Sequence, residues 1–88
     1  MNATMARVEI FTTPVCPFCV RAKRLLGERR VPYDERDVGA DARLRDEMVS
    51  RGGRRTFPQI FIDGRSIGGF EELAALDAQG QLTELALR

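Results

Sequence analysis

The sequence predicts a mixed α/β fold, in which a four-stranded sheet carries helices on both faces. The 88 residues suit one domain with one modest core. In the first half, short β-branched runs alternate with helical segments, which is typical of a parallel βαβ unit. In the second half, Asp63-Gly64 separates two strand-like runs and indicates a β-hairpin. The predicted order of elements is therefore βαβαββα.

The first strand and the first helix flank the chain's only two cysteines. Residues 8–11 (VEIF) are β-branched and aromatic, and they predict a buried strand. The helix is predicted from Pro17 to about Arg29, because proline fits a first helical turn, where its missing N–H costs nothing. An extended run at residues 31–38 follows and supplies the second strand.

The middle of the chain predicts a second helix and then the hairpin. Asp41 is expected to cap a helix that runs through Ser50, and the glycines at 52–53 end it. Residues 60–62 and 65–67 are the two predicted strands of the hairpin.

The last part of the chain predicts two helices. The third helix begins near Phe70, Gly80 breaks it, and leucines at 82–87 suggest a short final helix. Residues 1–5 are predicted to be a poorly ordered tail, and the folded domain is predicted to span 6–88.

Composition excludes several functions. The net charge of +1 gives no large field that would attract nucleic acid or an anionic membrane, so neither is expected as a partner. The basic run at 51–55 (RGGRR) is interpreted as a solvated helix end, with a small anionic ligand as the alternative.

No apolar stretch is long enough to span a bilayer, and the first residues lack the apolar core of a signal peptide. We therefore expect a cytoplasmic protein, and we expect a monomer.

The strongest functional signal is the sequence CPFC at residues 16–19. Cys16 lies at the predicted helix start, where unpaired backbone N–H groups and the positive dipole end favour an anion such as a thiolate. Cys19 lies one turn along on the same face, within reach of a disulfide. In a reducing cytoplasm such a pair is more often catalytic or sensing than structural. The motif therefore predicts a redox dithiol.

Other interpretations of the two cysteines stay open at this point. A structural disulfide over so short a ring would restrain the unfolded chain little. A zinc site within one chain is disfavoured, because the sequence has no histidine and no third cysteine. A metal cluster shared between two chains and two unrelated buried thiols are the remaining alternatives.

Four stretches together resemble the small bacterial dithiol glutaredoxins, which have a thioredoxin-like fold. CPFC at 16–19, followed by VRAK, is similar to the family's C-P-Y-C. TFPQIFI at 56–62 resembles T-V-P-Q-I-F-I. GGFEEL at 68–73 resembles G-G-x-D-D-L, and ALD at 75–77 resembles the segment that follows. The resemblance covers nearly the whole chain after Met5, and the order and spacing of the stretches make it highly specific.

The resemblance implies thiol–disulfide exchange with glutathione as co-substrate, without a tightly bound cofactor or a metal. Cys16 would be the nucleophile and Cys19 the resolving thiol. The partners would be glutathione and proteins that carry disulfides or glutathionylated cysteines. Pro58 would be a cis-proline facing the cysteine pair, and the backbone of Phe57 would pair with the cysteinyl backbone of glutathione.

The resemblance also implies contacts to both ends of glutathione. The N–H groups of Phe70 and Glu71 would hold the γ-glutamyl carboxylate, and Glu71 or Glu72 would meet its ammonium group. The alternative is that both acids only stabilise the helix, by about 0.3–1 kcal/mol each. Arg54 or Arg55 would meet the glycyl carboxylate. The full set of implied contacts is Thr13, Phe18, Arg54, Arg55, Thr56, Phe57, Pro58, Gly69, Phe70, Glu71 and Glu72.

The sequence departs from the family pattern at several of these positions. Phe18 replaces the common tyrosine and removes a hydroxyl. Thr13 stands where many relatives carry a lysine, which removes a cation near the thiolate. Glu71 and Glu72 replace aspartates, and Phe57 replaces a valine. We expect each departure to change the affinity for glutathione or the rate of the reaction, and none of them to abolish thiol–disulfide exchange.

Two rival functions follow from the same motifs. One is a glutathione-independent redoxin reduced by thioredoxin reductase, which would lack the acidic pair at 71–72. The other is a glutathione-ligated iron–sulfur carrier, with one Cys16 from each of two chains. Pro17 argues against the carrier, because such proteins usually have glycine or serine at that position.

Overall fold

Alternating apolar strands and amphipathic helices give this chain the predicted order of elements. The computed structural model describes residues 7–87, so the predicted tail at 1–5 lies outside the described residues. The elements are β1 (Val8–Thr12), α1 (Pro17–Glu28), β2 (Asp34–Asp37), α2 (Arg43–Ser50), β3 (Gln59–Ile62), β4 (Arg65–Gly68), α3 (Phe70–Ala78) and α4 (Gln81–Leu87). None of the helices in this part of the chain is long and apolar enough to cross a membrane.

The sheet has the strand order β2-β1-β3-β4. β1 pairs in parallel with β2, which confirms the βαβ unit, and β3 pairs antiparallel with both β1 and β4. Asp63 and Gly64 join β3 to β4, and both have positive φ values (52° and 82°), as a type I′ hairpin turn requires. β1 is central, and all five of its residues are buried.

The sheet separates two apolar layers. On one face, two strands, three helices and the loop after α1 contribute buried apolar side chains. These residues are Val8, Ile10, Ala22, Leu26, Val31, Ile60, Leu73, Leu82 and Leu85. On the other face, α2 contributes Met48 to a smaller layer with Phe11, Val38 and Phe61. Helices therefore lie on both faces, which confirms the predicted fold class.

A buried ion pair on the α2 face corrects one prediction. The Glu9 side chain is only 5% exposed, and Arg51 binds its two carboxylate oxygens at 2.6 and 3.0 Å. Arg36 adds a contact of 3.2 Å. The hydrogen bonds from Arg51 lower the pKa of Glu9 below its usual value. Arg51 is the C-cap residue of α2, so the prediction of a helix end is confirmed, but the prediction that this residue is solvated is wrong, because α2 ends over a strand whose carboxylate needs a partner.

Two element boundaries differ from the prediction. β2 begins at Asp34 rather than at residue 31, because the Val31 N–H is bonded to a carbonyl in α1 and Pro32 has no N–H to donate. α2 begins at Arg43, later than expected. Asp41 still accepts a hydrogen bond from the Arg43 N–H at 3.0 Å, so it supports the helix start from outside the helix.

Candidate functional site

The register of the sheet brings two distant loops together. Phe11 of β1 lies opposite Gln59 of β3 in an antiparallel pair. The loop that leaves β1 toward the cysteines therefore starts beside the segment that enters β3. The peptide bond between Phe57 and Pro58 in that segment is cis, as predicted.

Cys16 and Cys19 form a disulfide across the first turn of α1, with Cα atoms 5.2 Å apart. Cys16 is the N-cap residue, and its sulfur accepts a hydrogen bond from the Cys19 backbone N–H at 3.1 Å. Cys16 is partly exposed, whereas Cys19 is 2% exposed. A substrate can therefore reach Cys16 while Cys19 stays covered by the protein.

The surroundings of the disulfide favour an anionic sulfur at Cys16. The first turn of α1 carries no acidic residue, and Pro17 occupies its first position. The free N–H groups of this turn and the helix dipole act on the N-cap sulfur without a competing carboxylate. Val15 is 92% exposed and Phe18 is 50% exposed, so the rim of the site is apolar.

A groove of about 270 Å³ is lined by Phe18, which lies between the two cysteines in the first turn of α1. It lies between the first turn of α1, the segment before β3 and the start of α3. Its lining residues are Phe18, Arg54, Thr56, Phe57, Pro58, Gln59, Gly69, Phe70, Glu71 and Glu72. Most of the residues implied by the family resemblance are thus brought together from three separate parts of the sequence.

Two of the implied contacts do not line the groove. Thr13 is a partly buried residue of the loop between β1 and α1. Arg55 is exposed, but it is absent from the lining, to which its neighbour Arg54 contributes. The structure therefore distinguishes the two adjacent arginines, which the sequence left equivalent.

Gln59 lines the groove but was not predicted as a site residue. Its side chain is almost fully buried, although it is polar. Its amide oxygen accepts a hydrogen bond from the Arg54 N–H at 3.0 Å, and its amide nitrogen donates to the Thr56 hydroxyl at 3.1 Å. The signal in the sequence was a glutamine opening an otherwise apolar strand.

The acidic residues at the start of α3 have different partners. Glu72 accepts a hydrogen bond from the Gly69 N–H at 2.7 Å, as in a capping box. This bond lowers the pKa of Glu72, and the nearby charge of Arg54 lowers it further. Within residues 7–87, the Glu71 carboxylate makes no hydrogen bond or ion pair. The cap thus occupies Glu72 and leaves Glu71 available.

An aromatic contact joins the two helices that border the groove. The rings of Phe18 in α1 and Phe70 in α3 lie 6.1 Å apart. The Arg21 guanidinium lies 5.3 Å from the Phe18 centroid and 4.7 Å from the Phe70 centroid. These contacts join the starts of α1 and α3 and place a positive charge over both aromatic rings.

The chemistry of this site is that of sulfur exchange. One sulfur is reachable at a helix start, its partner is one turn deeper, and the two are joined reversibly by a bond that a thiolate can attack. The described residues contain no group of three or more His, Cys, Asp or Glu side chains placed to hold a metal ion. With the mixed four-stranded sheet, the site defines a thiol–disulfide oxidoreductase of the thioredoxin-like fold.

Comparison with known proteins gives the family. A family model described as Glutaredoxin matches residues 8–67. The chain is 51% identical over 81 residues to Glutaredoxin 3 of Escherichia coli, covering 92% of this chain and 98% of that protein. The protein belongs to the glutaredoxin family.

Solved structures agree with this assignment. The solution structure of glutaredoxin from Brucella melitensis is similar with a TM-score of 0.78 and 44% identity, over 98% of this chain and 94% of that one. A dithiolic glutaredoxin from Trypanosoma brucei brucei has a TM-score of 0.77 and 38% identity, over 90% of this chain and 84% of that one. The predicted thioredoxin-like fold and the enzyme class are thereby confirmed.

Proposed function

We propose that this glutaredoxin binds glutathione in the groove and uses Cys16 and Cys19 to reduce glutathione mixed disulfides and protein disulfides. Use of glutathione is general in the family. The observation that carries the proposal is the placement of charge: Arg54, a cation, and Glu71, a carboxylate without a partner among residues 7–87, line the same groove as Phe18 of the CPFC motif. Glutathione carries an ammonium group and two carboxylates, so such a groove complements it.

The middle of glutathione is proposed to pair with the backbone of Phe57. Within the described chain, no backbone hydrogen bond is formed by this residue, which precedes the cis-proline. An extended peptide could therefore pair with its N–H and C=O groups, as in the addition of a strand. This pairing would direct the cysteinyl sulfur of glutathione toward the N-terminal turn of α1.

The two ends of glutathione are proposed to bind at opposite walls. The γ-glutamyl carboxylate accepts hydrogen bonds from the N–H groups at the start of α3, at Phe70 and Glu71. The Glu71 carboxylate meets the ammonium group, because the Glu72 carboxylate is already engaged with Gly69. Arg54, rather than Arg55, meets the glycyl carboxylate, because only Arg54 lines the groove.

The proposed reaction with a glutathione mixed disulfide has two steps. The Cys16 thiolate attacks the glutathione sulfur, the mixed disulfide breaks, and the substrate leaves as a thiolate that takes a proton from water. A second glutathione thiolate then attacks the sulfur of the bound glutathione. The products are glutathione disulfide and the reduced Cys16 thiolate.

For a disulfide within a protein, the second cysteine is needed. Cys16 attacks one substrate sulfur and forms a mixed disulfide with it. Cys19 then attacks Cys16, which releases the reduced substrate and leaves the Cys16–Cys19 disulfide seen here. Two glutathione molecules reduce this disulfide in turn. The chain has no histidine to act as a base, so the helix start must stabilise the thiolate.

We further propose that the protein acts as a monomer in the cytoplasm. Both cysteines and all groove-lining residues come from one chain, so a second copy is not needed for the reaction. A reducing compartment keeps the dithiol in its active form and supplies thiol reductants.

Two assays run in parallel test this function. In one, glutathione and glutathione reductase support reduction of a small glutathione mixed disulfide. In the other, thioredoxin reductase replaces them. We expect turnover in the first assay, a higher KM in Arg54→Ala, and an unchanged KM in the matched control Arg55→Ala. Turnover with thioredoxin reductase alone would identify a glutathione-independent redoxin, and a coloured cluster in the purified protein would identify an iron–sulfur carrier.

A further inference from the structure

Gln59 is a buried polar residue that the sheet itself does not require. It is 2% exposed and lies at the first position of β3, directly after the cis-proline. The other members of β3 are apolar, and Phe11 lies opposite on β1. A buried amide is costly unless its polar atoms are hydrogen-bonded. Both ends of this amide are bonded, and both partners lie in the segment that lines the groove.

These two bonds are the hydrogen bonds that restrain this segment, and the Phe57 side chain also packs against the layer that contains Phe11. The N–H of Gly53 is bonded to the Met48 carbonyl, so the segment is fixed on the α2 side. On the other side, Pro58 leads into the sheet. Between them, the described chain makes two hydrogen bonds: the Arg54 N–H donates to the Gln59 amide oxygen, and the Gln59 amide nitrogen donates to the Thr56 hydroxyl. Neither helix nor strand pairing holds residues 54–57.

We propose that Gln59 is a positioning residue for glutathione binding. Through its amide it holds residues 54–57 in one conformation, with Arg54 and the backbone of Phe57 lining the groove. This inference rests on the proposed function, because it assigns a role to Gln59 in the same groove. Gln59 acts through Arg54 and Phe57, and the hydrogen bonds of its side chain go to Arg54 and Thr56.

The proposal predicts a separation between binding and chemistry. Without the amide, the segment samples other conformations, and glutathione must order it on binding. Loss of two hydrogen bonds of ordinary strength is expected to raise KM by about tenfold. The kcat and the reactivity of Cys16 should stay nearly unchanged, because the cysteine turn and its N–H groups lie in α1.

The test compares Gln59→Met with the wild type. Methionine has a similar volume and keeps the layer filled, but it removes both hydrogen bonds. KM and kcat are measured with a glutathione mixed disulfide, and Cys16 alkylation is measured separately. Hydrogen exchange is followed at the Arg54 amide and, as an internal control, at the β1 and β3 amides. We expect a higher KM and faster exchange at Arg54, with kcat, alkylation and strand protection preserved.

Conservative variants sharpen the test. In Gln59→Glu the carboxylate can accept from both the Arg54 N–H and the Thr56 hydroxyl, so KM should fall between those of the wild type and Gln59→Met. If Gln59→Met fails to fold, Thr56→Val and Thr56→Ser replace it. Thr56→Val removes the hydrogen bond from the Gln59 amide nitrogen, and Thr56→Ser keeps it. A higher KM in Thr56→Val than in Thr56→Ser supports the proposal, and equal values overturn it.

The failure of this inference can be told apart from the failure of the proposed function. If the wild type reduces glutathione and cysteine mixed disulfides of one peptide with equal kcat/KM, the groove does not select glutathione and the proposed function fails. If the wild type prefers glutathione, but Gln59→Met keeps either the wild-type KM or the wild-type exchange at Arg54, the function stands. In that case the positioning role is overturned.

Discussion

Two helix N-termini border the groove, and their first turns differ in charge. In α1 the N-cap is Cys16, whose sulfur accepts the Cys19 N–H, and no acidic residue follows in the first turn. In α3 the N-cap is Gly69, and the first turn carries Glu71 and Glu72. The same backbone physics acts at both, since each start exposes N–H groups and the positive end of a dipole.

The difference assigns separate tasks to the two helices. The positive end of α1 is left for one sulfur, which suits the stabilisation of a thiolate. The positive end of α3 is partly neutralised by the carboxylates of its first turn. It therefore suits a ligand that carries an ammonium group and a carboxylate close together. An acid introduced into α1 should therefore impair the chemistry, whereas removal of an acid from α3 should impair binding or the cap.

The largest expected effect comes from the two cysteines of α1. Cys16→Ser should abolish all exchange, because the attacking thiolate is gone. Cys19→Ser should keep the reduction of glutathione mixed disulfides but lose most reduction of intramolecular protein disulfides, where a resolving thiol is needed. Both activities are to be measured on both folded variants. Loss of both activities in Cys19→Ser would contradict glutathione as the reductant that releases Cys16.

An acid in the first turn of α1 would make that helix resemble α3. Val20 is 50% exposed and lies four residues after Cys16, so its substitution should not disturb the core. Val20→Glu should slow the alkylation of Cys16 by about threefold at neutral pH, because a carboxylate opposes the dipole and the thiolate. The neutral Val20→Gln is the matched control. Equal alkylation rates in the two variants, followed by mass at each cysteine, would show that the dipole contributes little.

The two acids of α3 should separate into a ligand contact and a cap. Glu71→Gln should raise the KM for glutathione mixed disulfides about threefold, because the contact with the ammonium group is lost. The Tm should fall only slightly, because an exposed acid in a first turn stabilises its helix weakly. Glu72→Ala should lower the Tm and change KM less, because it removes the carboxylate that accepts from the Gly69 N–H. Steady-state kinetics and thermal unfolding on both variants check this assignment. The reverse pattern would place the ligand contact at Glu72.

The smallest expected effect is the pH dependence of the cap. The Gly69 N–H holds the pKa of Glu72 below its ordinary value. Because the pKa of Glu72 is lower in the folded state, its capping contribution to stability is complete above the unfolded-state pKa of about 4.3. This contribution is lost as the pH falls through the folded-state pKa. Because Glu72 is exposed, the difference should be only about 0.3 kcal/mol. The free energy of unfolding in urea, measured at neutral and acid pH, should fall by about 0.3 kcal/mol more in the wild type than in Glu72→Gln, because carboxylates such as Glu9 titrate in both proteins.

Local backbone physics explains what the sequence determined by itself. The Asp63-Gly64 turn, the helix start at Pro17 and the glycine at residue 80 act on their immediate neighbours, so their patterns predicted the elements correctly. The cysteine spacing likewise placed a reachable sulfur at a helix start and its partner one turn deeper. These features need no information from the rest of the chain.

The tertiary structure alone decided which polar side chains meet. Arg51 binds Glu9, 42 residues away, so its burial depends on how α2 crosses the sheet. The sequence left Arg54 and Arg55 equivalent, and only the path of the segment before β3 directs Arg54 to the groove. The role of Gln59 depends on the same path. Hydrogen bonds and ion pairs act over a few ångströms in space, whereas sequence patterns report neighbours along the chain, so these partners follow only from the packed fold.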